Sequence, residues 1–182
     1  MIDKSMIRST VHLHTALDTE LVLESAPRSG DAGAPASICH DHAYMVVTGA
    51  AGATNQGPGD VAFDASPDAA VRFFVKSGSN NFEHAVLIRD LHHLGGDEVL
   101  QGFQFVAEEK SGIAPASATS VLPAQNVQQW FSFYQCDIAG EGTGSYCLVL
   151  ELWDRDEGGQ PRFAGHHHLH SRITVHFSPS SR

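Results

Sequence analysis

Apolar and polar residues alternate with period two along most of this chain, and that pattern restricts it to strands. In "VHLHTALDTELVL" the apolar positions are Val11, Leu13, Leu17, Leu21 and Leu23, while His12, His14, Asp18 and Glu20 occupy the alternate ones. The same alternation runs through residues 71–75, 146–153 and 169–177. "AYMVVTG", "DVAFDA" and "HAVLIRDLHHL" read as further strands. Gly, Pro, Ser and Asp cluster between them, as in "ESAPRSGDAGAPAS" and "RDEGGQP", and these are turn and loop signals. No segment reads as a helix, and residues 11–23 read as one long strand with a break near Asp18. Short strands at roughly ten-residue spacing predict an all-β fold, a single-domain antiparallel sandwich of jelly-roll or Greek-key type with little helix. The domain is expected over residues 1–177, with 178–182 a polar tail. Leu13, Val46, Phe73, Leu87, Phe133, Leu148, Leu150 and Val175 are the expected core.

The composition narrows what such a fold can do. The 182 residues suit one domain, and 42% hydrophobic content is enough for a core. A net charge of -10 argues against general nucleic-acid binding, because phosphate contacts need clustered Lys and Arg. No run of eighteen apolar residues marks a membrane span. The start, "MIDKSMIRSTVHLHT", lacks an apolar signal core, so a cytoplasmic location is expected. "WFSFYQCDI" and "SYCLVLELWD" read as a hairpin across "AGEGTG", which would bring Cys136 opposite Cys147. A reducing compartment favours two free thiols over a disulfide there.

"RFAGHHHLHSRITVHF", residues 162–177, carries five histidines. On a strand, residues i and i+2 share a face about 6.6 Å apart, so two imidazoles can pinch one ion. His166, His168, His170, Arg172, Thr174 and His176 then form an exposed face, and His167, Leu169, Ser171, Ile173, Val175 and Phe177 the core face. His12 and His14 could complete a site if the two strands were neighbours. Any zinc or nickel at His12, His14, His166, His168 or His170 is expected to be adventitious, with no resident cofactor.

Catalytic signals are poor. There is no GxSxG elbow, HExxH, or strand–GxGxxG–helix unit. "ICHDH" places Cys39, His40, Asp41 and His42 side by side, but triads assemble from separated segments. A hydrolase is only a remainder, and the chain is read as non-enzymatic.

Several segments together, in order, are similar to one family: "LDTELVL", "AYMVVTG", "VRFFVKSGSNNFEHAVLIRDL", "FSFYQCDI" followed by "GTGSY", and "LELWDRDEGGQPRFAG". They resemble the AidA/PixA inclusion-body family of bacterial proteins over nearly the whole chain. After Gly165 the family's aromatic and proline signature is replaced by the histidine run, so no role for those histidines carries over. The resemblance implies a small soluble β-protein of cytoplasmic inclusions, expressed under quorum-sensing or host-association control. It supplies no reaction and no catalytic residues.

Three functional readings follow. One is self-association into a homodimer or larger oligomer, since strand edges need covering. A second is a binding module for a carbohydrate or other small ligand. It would use loop groups Asn55, Gln56, Asp60, Ser79, Asn80 and Asn81, with Trp130 and Trp153 as stacking surfaces, although both Trp are expected in or beside the core. The third is metal binding by the histidines.

Overall fold

Thr10–Leu17 forms strand β1, and the alternation stops there rather than running to Leu23. Asp18 ends the strand and caps a short helix, α1 (Thr19–Ser25), by accepting a hydrogen bond from the Leu21 N–H at 3.1 Å. A carboxylate at this position satisfies one of the helix's free N–H groups and favours helix over continued strand. Val22 is buried, so the cap also fixes how the helix packs. Asp18→Ala is expected to cost about 1 kcal/mol, measured by urea denaturation.

The computed structural model describes residues 8–178. Residues 1–7, and the expected polar tail apart from Ser178, lie outside the described residues. After α1 come β2 (Ala36–Ser37), a 3-10 turn at His40–His42, β3 (Ala43–Thr48), β4 (Ala51–Thr54), β5 (Asp60–Ala65) and β6 (Ala70–Ser77). Four longer strands and one very long one complete the chain: β7 (Ala85–Gly96), β8 (Leu100–Ala114), β9 (Gln125–Ile138), β10 (Gly142–Arg155) and β11 (Pro161–Phe177).

The strands form two sheets, as the alternation predicts. One has the order β3-β1-β6-β9-β8 and the other β4-β5-β11-β10-β7, with β2 also paired to β11. The fold is an all-β sandwich, but its sheets are mixed: β1 runs parallel to β6, and β5 and β2 run parallel to β11. Leu13, Leu17, Met45, Phe73, Leu148, Leu150, Leu169, Ile173 and Val175 fill the space between the sheets. Their inward direction follows from the strand pleat, which sends alternate side chains to opposite faces.

Two expected core residues lie elsewhere. Val46 pairs with His14 on the outer side of its sheet, while Met45 and Val47 point inward. Leu87 is 46% exposed. Strand β7 buries Val86 and Leu91, and its register with β10 shifts between Val149 and Leu150. An extra residue at such a bulge swaps the faces of everything beyond it, so simple alternation misassigns one side. Phe133 is buried, but outside the main core, beside Phe74 at 5.4 Å and beneath the Arg72 guanidinium at 4.7 Å.

The expected hairpin of β9 with β10 does not form. β9 pairs with β8 and β6, whereas β10 pairs with β7 and β11 in the other sheet. Cys136 therefore lies in the core of one sheet and Cys147 on the opposite sheet, and both are free thiols. Burial pushes the Cys136 thiol well above its usual range.

Strands β8 and β9 continue past the sandwich as a two-stranded ribbon. β6 pairs with β9 only as far as Tyr134, whereas β8 and β9 stay paired from Val106 and Phe133 to Ala114 and Gln125. At about 3.4 Å per residue the ribbon projects roughly 27 Å. The Tyr134 hydroxyl donates to the Arg89 carbonyl at 2.5 Å and ties its foot to β7.

Candidate functional site

The histidines of β11 divide by burial more finely than alternation predicts. His167 points into the core and is fully buried, with neither ring nitrogen hydrogen-bonded. Desolvation lowers its pKa. His166 shares a face with His168 and His170 yet is buried rather than exposed. Its ring packs on Phe163 at 4.8 Å, and Nδ1 lies 3.9 Å from Glu151. His168 is half-buried and His170 exposed, their rings stacked at 4.7 Å.

His12 and His14 cannot join them. β1 sits between β3 and β6 in one sheet, and β11 belongs to the other. The two β1 histidines instead pack against Phe74, His14 stacked on it at 4.9 Å. Both have lowered pKa values, with desolvation the main cause.

Strand pairing brings a different set beside His168 and His170. Cys147 of β10 lies opposite His170 on one side and opposite His92 of β7 on the other. In the next row, Val149 lies opposite His168 and Asp90. Directly paired residues stand about 5 Å apart. His92, Cys147, His170, His168 and Asp90 thus share one patch across three strands. Together with Arg89, Val149 and the loop residues Ala32, Gly33 and Pro35, they line a shallow pocket of about 290 Å³.

Two of these rings are held by one nitrogen. His168 Nδ1 lies 3.0 Å from the Pro35 carbonyl oxygen, and His92 Nδ1 lies 3.1 Å from Asp90 Oδ2. Only a protonated Nδ1 can donate to an oxygen acceptor, so each bond leaves Nε2 with a free lone pair in the neutral ring. The loop over this patch is positioned through β11: Ser29 O accepts from His166 N–H at 2.7 Å, and His168 O from Ile38 N–H at 2.9 Å. Gly165 permits that approach, because it adopts φ +154° and a Cβ there would sit 3.2 Å from the Ser29 backbone. Burial pushes the Cys147 thiol pKa up, with the Asp90 charge adding to it. Burial lowers the His170 pKa, assisted by His168, His40 and His92.

The sequence singled out His168 and His170 but missed His92, Asp90 and Cys147. Those residues lie on two other strands, β7 and β10, and only the registers bring them beside β11.

The expected ligand-binding groups do not converge. Asn55 and Asp60 line a small polar pocket with Thr143, Arg172 and Thr174, and Asp60 is paired to Arg172 at 2.5 Å. Gln56 accepts the Val47 N–H at 2.9 Å. Ser79 and Asn81 organise their own loop: Ser79 Oγ accepts from Glu83 N–H, and Asn81 Oδ1 from Ser77 and Val86 N–H. Asn80 occupies the left-handed region beside Asn81. Trp153 is half-buried and packs edge-on to Phe163 at 5.5 Å. Trp130, expected in or beside the core, is instead 70% exposed on the projecting ribbon. With Asn81, Phe105, Phe131 and Leu87 it lines a groove of about 260 Å³ at the ribbon's foot.

The family described as PixA, inclusion body protein, matches residues 9–174 of the chain. The crystal structure of an inclusion body protein (PixA) from Burkholderia cenocepacia J2315 is similar, with a TM-score of 0.80 and 20% sequence identity. The likeness covers 96% of this chain and 100% of that one. At that identity it speaks for the fold alone. No curated protein matches the chain.

Proposed function

This chain belongs to the PixA inclusion body protein family, and on that premise we propose that it is a non-enzymatic protein that self-associates through its β8–β9 ribbon. The product is a homodimer or a larger symmetric assembly. The reading extends, on the family resemblance, to storage in cytoplasmic inclusions and to expression under quorum-sensing or host-association control.

The projecting ribbon carries the proposal. An isolated pair of strands is marginal in water, and a long apolar edge invites another chain. Ile113, Val121, Leu122, Trp130 and Phe131 are exposed on the ribbon and its tip, and Phe105 is exposed at its foot. A second copy supplies both missing partners at once, because a two-fold axis lets each ribbon cover the other molecule's matching surface. A ribbon about 27 Å long and 10 Å wide offers roughly 270 Å² per face. Two ribbons laid on two receiving faces bury roughly 1,100 Å², close to the ~1,200 Å² at which stable interfaces begin.

Light scattering on a sizing column tests this. The protein is expected to elute as a dimer or larger at micromolar concentration. Ile113→Asp combined with Trp130→Asp is expected to give a monomer with an unchanged circular dichroism spectrum. A monomeric wild type overturns the reading.

The groove at the ribbon's foot favours a second reading, a small-ligand or carbohydrate module. Trp130 and Phe131 give it aromatic walls, and Arg89 and Glu151 give it polar groups. A glycan array with wild type and Trp130→Ala separates the two readings.

A further inference from the structure

The outer face of the sheet formed by β7, β10 and β11 carries more chemistry than self-association uses. We propose that this face is a transition-metal site in which Nε2 of His92, His168 and His170 and the Cys147 sulfur bind one zinc-like divalent ion.

The donor set comes from the registers. Cys147 lies at the middle of the patch, directly opposite both His92 and His170. His168 lies two residues before His170 on the same face, about 6.6 Å away along the strand. Three imidazoles and one thiolate are a four-ligand complement of nitrogen and sulfur. Such a set suits zinc and its neighbours, and not the oxygen-seeking calcium or magnesium.

The outer contacts point the same way. Metal-binding histidines characteristically hand their second ring nitrogen to a carboxylate or a backbone carbonyl, which fixes the ring and presents the other nitrogen. His92 does this with Asp90 and His168 with Pro35. The Ala32–Pro35 loop rims the pocket and gives the face depth that an exposed strand would lack.

As the rings stand, no three His, Cys, Asp or Glu groups among the described residues close on a common point. His170 is exposed, and the His92 side chain is 47% exposed, so both can swing toward the sulfur. Cys147 binds as the thiolate, so each ion bound releases the Sγ proton to solvent. The sequence offered His12, His14 and His166, beside His168 and His170, as ligands of a weak, adventitious site. The fold removes the first two to the other sheet and buries the third, and it supplies better partners.

Cobalt(II) titration of reduced, untagged protein tests the assignment, because a thiolate ligand gives an intense near-ultraviolet charge-transfer band. One cobalt per chain is expected, with that band present and lost on adding zinc. Cys147→Ala should abolish the band and leave weaker binding. His170→Ala and His92→Ala, both at exposed positions where folding is unaffected, should each weaken binding, and Asp90→Ala should do so by about tenfold or more. His12→Ala/His14→Ala should change nothing. Binding without a thiolate band, or binding unaffected by His92→Ala, would reduce the patch to an adventitious histidine pair and overturn the assignment. Failure to bind cobalt or zinc at all would overturn it too.

Discussion

Leu148→Ala is expected to destabilise the protein by about 2–5 kcal/mol, while Leu87→Ala should stay within about 0.5 kcal/mol. Both are leucines in paired strands of one sheet. Leu148 is fully buried between the sheets, where truncation removes apolar contact and leaves a cavity that neighbouring strands cannot close. Leu87 is nearly half exposed on the far side of a bulge, so its loss opens no cavity. For a domain of this size the Leu148 change corresponds to a fall in Tm of roughly 4–20 °C. Phe133→Ala should fall between the two. It removes an aromatic contact with Phe74 and a cation–π contact with Arg72, but leaves the main core intact. Thermal melts of the three variants check the order. Equal effects for Leu87→Ala and Leu148→Ala would refute the bulge and the strand face it sets.

The periodic part of the fold was legible because a sandwich leaves a period-two trace in every strand with one wet and one dry face. Leu13, Phe73, Leu148, Leu150 and Val175 followed from that trace directly. It failed where a local interaction outweighed alternation. Asp18 turned "LDTELVL" into a cap and a helix, although the apolar spacing fits a strand as well. The bulge in β7 moved Leu87 outward. The β9–β10 hairpin was a reasonable reading of "AGEGTG", but pairing depends on which neighbour buries more surface, and no short-range signal encodes a crossover between sheets. The ribbon was the least legible element. Phe133 read as core and Trp130 as in or beside it because aromatic runs usually are, and only the end of pairing with β6 at Tyr134 shows that the strand has left the sandwich. The candidate metal patch was half legible. "HHHLH" announced two of its histidines, whereas His92 and Cys147 are fifty-five positions apart and meet only through the register of β10 with β7.

Stability should fall as pH drops below about 6.5, and His167→Leu should both raise stability at pH 7 and flatten that fall. His12, His14, His167 and His170 all have folded-state pKa values below the usual 6.5 of histidine, with burial the leading cause for each. The unfolded chain therefore binds more protons than the folded one once pH falls below about 6.5, and stability decreases with falling pH over that window. Above it, all four rings are neutral in both states and the contribution is complete. Asp154 acts in a separate window. The Arg162 hydrogen bonds hold its carboxyl below the usual carboxylate range, so its contribution is lost only at still lower pH. His167 is the extreme case among the histidines, fully buried with both nitrogens unpaired. The Gly165 backbone opposes its shift without reaching hydrogen-bond geometry. Leucine replaces the ring with an apolar group in an apolar site and removes two unsatisfied polar atoms, a gain of about 1–3 kcal/mol at neutral pH. It also removes one of the four protons taken up on acid unfolding. Urea denaturation at a series of pH values, with EDTA present to keep metal out of the comparison, reads both effects. A stability profile flat between pH 7 and 5 would contradict the lowered histidines, and a His167→Leu variant less stable than wild type at pH 7 would show that the ring has a polar partner in solution.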